Sequence, residues 1–328
     1  MPITFGVIRR RRVCLVAAYL AARLVGSMFA AASSLASRVS AAPLALGKPR
    51  SARRASRRAT AVMASSSVAP AIIVGGGRVG QALADMGVAG DVVMKRGDPF
   101  PAEPAVGPIF VCTRNDALEG VIDATPEARR KDLVFLQNGM LQPFLDARGL
   151  GDNTQALVYF AVAKLGEAPT DGITDVNPEG LTAANGVHAE ALAARLRAAN
   201  LSCQILDDEP FRASMFEKLI WICSFMAVGA AHPGATVGDV ESEHRDEVVA
   251  LIDELLKGSA AEFGVAFEAG ATERLLAYAR AVAHFPTAVK ELEWRNGFFL
   301  DASASAVGEG REDPFPTHSA LLKAVGAA

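Results

Sequence analysis

The sequence predicts an α/β protein in which a doubly wound domain precedes an all-helical domain. An apolar, β-branched segment runs directly into Gly75-x-Gly77-x-x-Gly80, and short strand-like and helix-like segments alternate after it. From Phe211 onwards the pattern changes to long helical runs. A basic segment without acids precedes both domains, so we divide the chain into residues 1–64, 65–207 and 208–328.

The elements follow in order. Short apolar runs rich in β-branched and aromatic residues are typical of buried parallel strands. Predicted strands are 71–74, 91–94, 108–113, 133–136, 155–162 and 203–206, with a polar hairpin at 172–186. Predicted helices are 81–86, 115–122, a short one from 125, 187–199, 211–230, 237–262, 272–283 and 288–300, with a weak tail after them. About a dozen residues separate the second strand from the third, too few for the usual helix and strand between them.

The glycine segment has the order of a Rossmann-type dinucleotide-binding turn. Gly75 would make the tight turn, Gly77 would let the backbone approach a pyrophosphate, and Gly80 would let the helix pack on the strand. Arg78 and Val79 complete the start of the helix, whose free N–H groups favour an anion. The alternative is a glycine-rich structural turn.

The end of the second strand predicts the cofactor. NAD sites usually carry an acid about twenty residues past the first glycine, whereas this chain has Lys95 and Arg96. Cations can bind a 2′-phosphate, so we predict NADP(H). The alternative is a solvated basic strand end.

Residues 1–64 are typical of an organelle transit peptide. They hold eleven Arg, one Lys and no acid. The triplet Val62-Met63-Ala64 resembles an algal plastid cleavage site, so we expect the plastid (chloroplast) stroma, with the mitochondrion as the alternative. The apolar run after Arg12 leaves two-step import into a complex plastid open.

Composition excludes several classes of partner. Removing the twelve leader bases from 33 leaves 21 basic against 36 acidic residues, about −15, which argues against nucleic acid. The apolar stretches are too short to span a membrane. The four cysteines and five histidines lack ligand spacing, so we expect reduced thiols and no metal. A homodimer is the expected assembly.

Three polar groups are candidates for chemistry. Lys218 opens a very apolar helical stretch, where it either reaches the surface or serves catalysis. Glu291 or Glu293 could hold Lys218 in its charged form, or lie on a solvated helix face. Asn138 follows a buried strand, where this fold binds ligands, although Asn-Gly pairs also form turns.

Together these motifs resemble the ketopantoate reductases (2-dehydropantoate 2-reductases). The resemblance rests on the glycine turn, on Gln137-Asn138-Gly139-Met140, on Lys218-Leu219 and on Glu291-x-x-x-x-Asn296-Gly297. It implies a helical domain similar to that of 6-phosphogluconate dehydrogenase. It also implies a set of site residues: catalytic Lys218 and Glu291, Asn138 at cofactor and substrate, Asn296 in the final motif, and Arg96 and Arg114 at NADP.

The chain departs from that family in its substrate residues. Ile222 and Met226 stand where the family usually has asparagines, and the hydroxyl nearest to the missing serine stretch is Thr287. The resemblance implies reduction of 2-dehydropantoate by NADPH, in pantothenate biosynthesis, with Lys218 as proton donor. Two alternatives remain: an oxidoreductase of another hydroxy or keto acid, and a non-catalytic NADPH-binding protein.

Overall fold

The computed structural model describes residues 68–328. The predicted transit peptide, its cleavage triplet Val62-Met63-Ala64 and Cys14 lie outside the described residues.

Seven short strands form one sheet in the order β2-β1-β3-β4-β5-β6-β7. The first five are mutually parallel, β6 is antiparallel to β5, and β7 is parallel to β6. Alternate residues of β1 enter two separate hydrophobic clusters, so both faces of the sheet are covered, as the short apolar runs predict. The strands are β1 Ile72–Val74, β2 Val92–Met94, β3 Ile109–Val111, β4 Leu133–Phe135, β5 Gln155–Leu157, β6 Ala183–Asn185 and β7 Gln204–Ile205.

Helices cover the sheet and then form the second domain. Those of the first domain are α1 Arg78–Asp85, α2 Leu118–Ala124, α3 Gln142–Asp146 and α4 Ala189–Ala198, with 3₁₀ turns at Asn115–Ala117 and Glu127–Asp132. Those of the second are α5 Asp208–Ala231, α6 Val237–Glu243, α7 Arg245–Phe263, α8 Ala271–Ala281, α9 Asn296–Gly308 and α10 Pro316–Ala324, with a 3₁₀ turn at Leu292–Trp294. The predicted order of a doubly wound domain and a helical domain is confirmed.

In the first domain the strand predicted over 155–162 ends at Leu157, and the hairpin predicted over 172–186 supplies one strand, β6.

Three predicted elements of the second domain differ. The helix over 237–262 is two helices, because the backbone at His244 leaves helical geometry and a capping box of Thr236 and Asp239 starts α6 separately. The helix over 288–300 begins only at Asn296, since Glu291 has a positive φ of 47°. The weak tail contains α10, which Pro316 starts.

The connection from β2 to β3 contains no helix or strand, as its length predicts. Among residues 68–328 no strand lies beyond β2, which is one of the two edge strands of the sheet, and its residues are only half-buried. The chain passes from β1 to β2 on one side and then crosses to β3 on the other, so the strand order changes direction at the carboxyl end of β1. Sheets of this class bind their ligands at that point.

α5 is the central helix of the second domain. By length and composition it is the one helix among residues 68–328 that could cross a membrane, but 78% of the apolar window is buried within the protein. It packs on β5 and β6, and its buried residues share one cluster with Met140, Leu157 and Tyr159 of the first domain. The two domains thus share a hydrophobic core.

Candidate active site

The glycine turn has the close contacts that its sequence predicts. Gly75 has a φ of +105°, which an L side chain rarely adopts. A Cβ on Gly80 would lie 1.8 Å from the carbonyl oxygen of Gly75, so helix and strand meet backbone to backbone. A Cβ on Gly77 would have nothing within 4 Å, and Gly77 caps α1 without a side-chain hydrogen bond. The N–H groups at the start of α1 therefore face an open space suited to an anion.

Basic side chains surround this turn. The Cε of Lys95 lies 3.8 Å from the Cβ position of Gly76, and Arg96 is exposed beside it. Arg78 donates hydrogen bonds to the carbonyl oxygens of Val162 (3.1 Å) and Ala163 (3.2 Å). Arg114 is exposed and pairs with Asp116 at 2.5 Å. The predicted cations thus lie around the carboxyl end of the sheet, with Arg114 already paired.

Side-chain hydrogen bonds hold the ends of β3 and β4 together. Gln137 donates from Nε2 to the carbonyl oxygens of Val111 (2.8 Å) and Thr113 (3.1 Å). The next residue, Asn138, accepts a hydrogen bond from Asn115 at its main-chain oxygen, 3.0 Å away. Its own side chain is exposed and lines the cleft between the domains.

That cleft has a volume of about 480 Å³ and is the centre of the candidate site. Its lining is mostly apolar, and it includes both Ile222 and Met226. Four of its lining residues carry a positive charge and one a negative charge: Arg78, Lys218, Lys290, Arg295 and Asp171. In a chain with a formal charge of −3 this local excess of cations favours an anionic ligand.

Lys218 is buried on α5 and faces the cleft. Its Nζ donates a hydrogen bond to the carbonyl oxygen of Val158 at 2.5 Å and lies 4.6 Å from the ring centroid of Tyr159. Burial, and then the positive charge of Arg295, lower the pKa of Lys218 from 10.5 to about 7. An amine with this pKa can both donate and accept a proton near neutral pH.

The predicted partner of Lys218 is engaged elsewhere. Glu291 accepts a hydrogen bond at 2.5 Å from Arg295, four residues along the chain. The pKa of Lys218 is lowered, first by burial and then by the positive charge of Arg295, and Glu291 is not among the causes of the shift. Glu291 therefore pairs with Arg295 and not with Lys218, contrary to the expectation that it keeps Lys218 charged.

Two predicted substrate residues have structural contacts instead. Asn296 is 1% exposed, and its Oδ1 lies 2.8 Å from Nε2 of His318, away from the residues that line the cleft. Thr287 donates to the carbonyl oxygen of Ala235 at 2.6 Å and packs on Gly229 of α5, beside a different cavity of about 550 Å³. Asn296 and Thr287 thus stabilise the fold around the cleft. The expectation that they contact the substrate was wrong.

Sequence reasoning missed three cleft residues. Arg295 lies in the same charged run as Glu291, but the sequence does not show that its side chain lines the cleft. Tyr159 and Tyr278 stack edge to face, with ring centroids 4.8 Å apart, and form an aromatic wall. The available signal for Tyr159 was its position in the predicted strand 155–162, because this fold binds ligands at the carboxyl ends of its strands.

Comparisons with known proteins agree with this architecture. No family model and no curated protein matches the chain. Its fold matches a ketopantoate reductase from Ralstonia eutropha with a TM-score of 0.56 at 18% identity, over 78% of this chain and 97% of that one. A 2-dehydropantoate 2-reductase from Methylococcus capsulatus gives 0.55 at 16% identity, over 79% and 96%.

A D-mandelate dehydrogenase, solved with NADH and anilino(oxo)acetate, gives a TM-score of 0.56 at 14% identity, over 78% of this chain and 97% of that one. The described part of the chain therefore has the two-domain fold of these enzymes, which confirms the fold that the sequence resemblance implies.

Proposed function

We propose that the protein is an NADPH-dependent reductase of a 2-oxo acid, of the ketopantoate reductase type. One observation carries the proposal: Lys218 is buried in a cation-rich cleft that Arg78 and Val79 of the glycine turn also line. A charged amine is costly to bury, and a binding site for an anionic substrate accounts for its position.

The glycine turn fits a dinucleotide cofactor. The open N-terminus of α1 at Gly77 would bind the pyrophosphate, and Arg78 flanks it on the side of the cleft. Lys95 and Arg96 would bind a 2′-phosphate at the edge of the sheet, so we propose NADPH rather than NADH. When bound, NADPH supplies the hydride that reduces the substrate carbonyl.

Lys218 is the proposed proton donor. Its ammonium would stabilise the alkoxide that develops on the carbonyl oxygen and then transfer a proton to it. The Val158 carbonyl and the Tyr159 ring hold the amine in position. Asn138, exposed at the end of β4, would orient the carbonyl group.

Arg295 is the proposed anchor of the substrate carboxylate. It lines the cleft with Lys218, and only one of its edges is engaged by Glu291. Its buried Nε has no hydrogen-bond partner among the described residues. A guanidinium that lines a cleft suits a planar carboxylate.

A second candidate keeps the reaction and changes the acid. Ile222 and Met226 line the cleft in place of hydrogen-bonding amides, so a polar substrate such as 2-dehydropantoate would lose contacts worth about 1–3 kcal/mol each. The apolar lining and the aromatic wall favour a 2-oxo acid with an apolar side chain. A non-catalytic NADPH-binding protein is the third candidate, and the buried Lys218 argues against it.

Oxidation of NADPH by protein that begins at Ser65 tests the proposal. The panel contains 2-dehydropantoate, a small aliphatic 2-oxo acid and phenylglyoxylate, the 2-oxo acid of mandelate. Turnover of any of them supports the reaction, and the preferred acid separates the first two candidates. NADPH binding without turnover of any acid would contradict both reductase candidates and favour the third, a non-catalytic NADPH-binding protein.

We also propose that the mature protein lies in the plastid stroma, with the mitochondrion as the alternative, and that it forms a homodimer. A fluorescent fusion of residues 1–64 tests the first proposal, and light scattering of the purified protein tests the second. A ketopantoate reductase from Staphylococcus aureus is described as dimeric, which supports the second.

A further inference from the structure

Two imidazoles and a carboxylate converge outside the cleft, at the corner where α5 ends and α7 begins. His232 caps the C-terminus of α5, His244 lies between α6 and α7, and Glu247 is in the first turn of α7. The rings of His232 and His244 stack with centroids 3.5 Å apart. Nε2 of His232 lies 2.8 Å from Oε2 of Glu247. One ligand atom from each residue lies within 4.8 Å of the others.

We propose that the His232–His244–Glu247 cluster binds one zinc ion. Zn²⁺ binds four ligand atoms at about 2.0–2.2 Å, and imidazole nitrogens and carboxylate oxygens are among its usual ligands. The cluster supplies three of the four. A tetrahedral site therefore separates its ligand atoms by about 3.3 Å. The stacked rings of His232 and His244 have nearly parallel planes, with an interplanar angle of 9°, whereas a metal lies in the plane of each imidazole that binds it. Zinc binding therefore requires one ring to rotate out of the stack, and the side chains of His232 and Glu247, 34% and 43% exposed, have room to reorient. The proposal departs from the expectation of no metal site, which rested on sequence spacing.

The backbone around the cluster is fixed before any metal binds. Thr236 and Asp239 form a reciprocal capping box at the start of α6. The carbonyl oxygen of His232 accepts a hydrogen bond from Ala235, and that of His244 accepts one from Val248. Metal binding therefore orders side chains alone, which keeps its entropic cost low.

The charges that face the cluster favour a cation. Asp239 and Glu243 line the same surface cavity as His232 and His244, and Glu247 adds a third carboxylate. Arg245, the nearest cation in sequence, is turned away to Glu241 and Glu273. The cavity of about 430 Å³ leaves the fourth zinc position open to water.

Calorimetry with zinc sulfate on metal-free protein beginning at Ser65 tests the proposal, at neutral pH so that the imidazoles can bind. We expect one zinc ion per chain with micromolar or tighter affinity. Removing a residue that only hydrogen-bonds to a metal ligand typically lowers metal affinity about 10–100-fold. Loss of a ligand itself in H232A, H244A or E247Q should therefore lower zinc affinity at least about tenfold. Zinc should raise the Tm of the wild type and not that of H232A or H244A.

The matched control is H188A. His188 lies 3.2 Å from Asp132, so it forms a His–carboxylate pair without a second imidazole, and this variant should bind zinc like the wild type. Zinc binding that survives H232A and H244A, or the absence of binding in the wild type, would overturn the proposal. Neither readout depends on NADPH or on a 2-oxo acid.

Discussion

The ammonium of Lys218 lies in the same cleft as the guanidinium of Arg295, and the positive charge of Arg295 adds to burial in lowering the Lys218 pKa to about 7. The proposed reduction needs the protonated amine of Lys218, so kcat/KM should fall as pH rises through about 7. Arg295→Gln removes the repelling charge and raises the pKa, so the fall should move to higher pH. The pH profile of NADPH-dependent reduction measures both.

The matched control for that profile is Arg197→Gln. Arg197 pairs with Glu190 on α4, outside the cleft, and its loss should leave the profile unchanged. A profile that stays in place, or moves to lower pH, in Arg295→Gln would exclude electrostatic coupling between Arg295 and Lys218.

Lys218→Ala should lower kcat by about 10²–10⁴-fold, the usual contribution of a general acid. Its affinity for NADPH should stay within about twofold of the wild type, because the proposed cofactor contacts come from the glycine turn. Single-turnover kinetics and equilibrium NADPH titration separate the two effects. Lys257→Ala, an exposed lysine on α7, is the control. Normal turnover without the Lys218 amine would end the proposed mechanism.

Two glycine variants should separate folding from cofactor binding. Gly77→Ala adds a Cβ into open space at an ordinary φ, so its Tm should change little while NADPH affinity drops as the added carbon blocks the pyrophosphate. Gly80→Ala places a Cβ against the Gly75 carbonyl oxygen and should lower the Tm by several degrees. Equal effects of the two variants on stability would contradict the contacts described here.

The pair Lys95 and Arg96 should determine the choice between NADPH and NADH. Replacing both with alanine would remove the proposed charge-assisted hydrogen bonds to the 2′-phosphate, which should weaken NADPH binding about 10–100-fold. NADH lacks that phosphate and should bind as before. Fluorescence titration with each dinucleotide measures the ratio, and tighter binding of NADH by the wild type would contradict the predicted specificity.

Asn296→Ala should lower stability without changing substrate affinity. Burial lowers the pKa of His318 to about 4, so this ring is neutral near pH 7 and can donate from Nε2 to Asn296. Without its acceptor the buried donor is left unpaired, at a cost of about 1–3 kcal/mol. Denaturant unfolding measures that loss. A raised KM with unchanged stability would return Asn296 to the substrate site.

Local patterns predicted most of the fold. Apolar strand runs, the glycine turn and the change to long helices after residue 207 each reflect short-range chemistry. Helix ends were harder to predict from the sequence. The break at His244 and the positive φ of Glu291 are backbone conformations that no local pattern indicates. α10 was missed because its helical pattern is short and begins at a proline.

The candidate site was predictable only in part. Lys218 and Asn138 were found because a buried cation and a strand end are visible in the sequence. A motif does not show which way a side chain at a helix start points, so Asn296 was assigned to the cleft although it lies in the core. Thr287 was assigned there as the nearest hydroxyl, although it lines a different cavity. Arg295 was missed because its neighbour Glu291 had the expected chemistry.

The segment that carries Arg295 is also attached to the first domain. The N–H of Met140 donates to the carbonyl oxygen of Trp294 at 2.8 Å, and the Trp294 ring stacks edge to face on Phe144. A hinge motion that widened the cleft would break this attachment and expose the core that the domains share. We therefore expect turnover without domain opening. Substrate preference would then change in evolution through substitutions of cleft side chains and not through a change in the arrangement of the two domains.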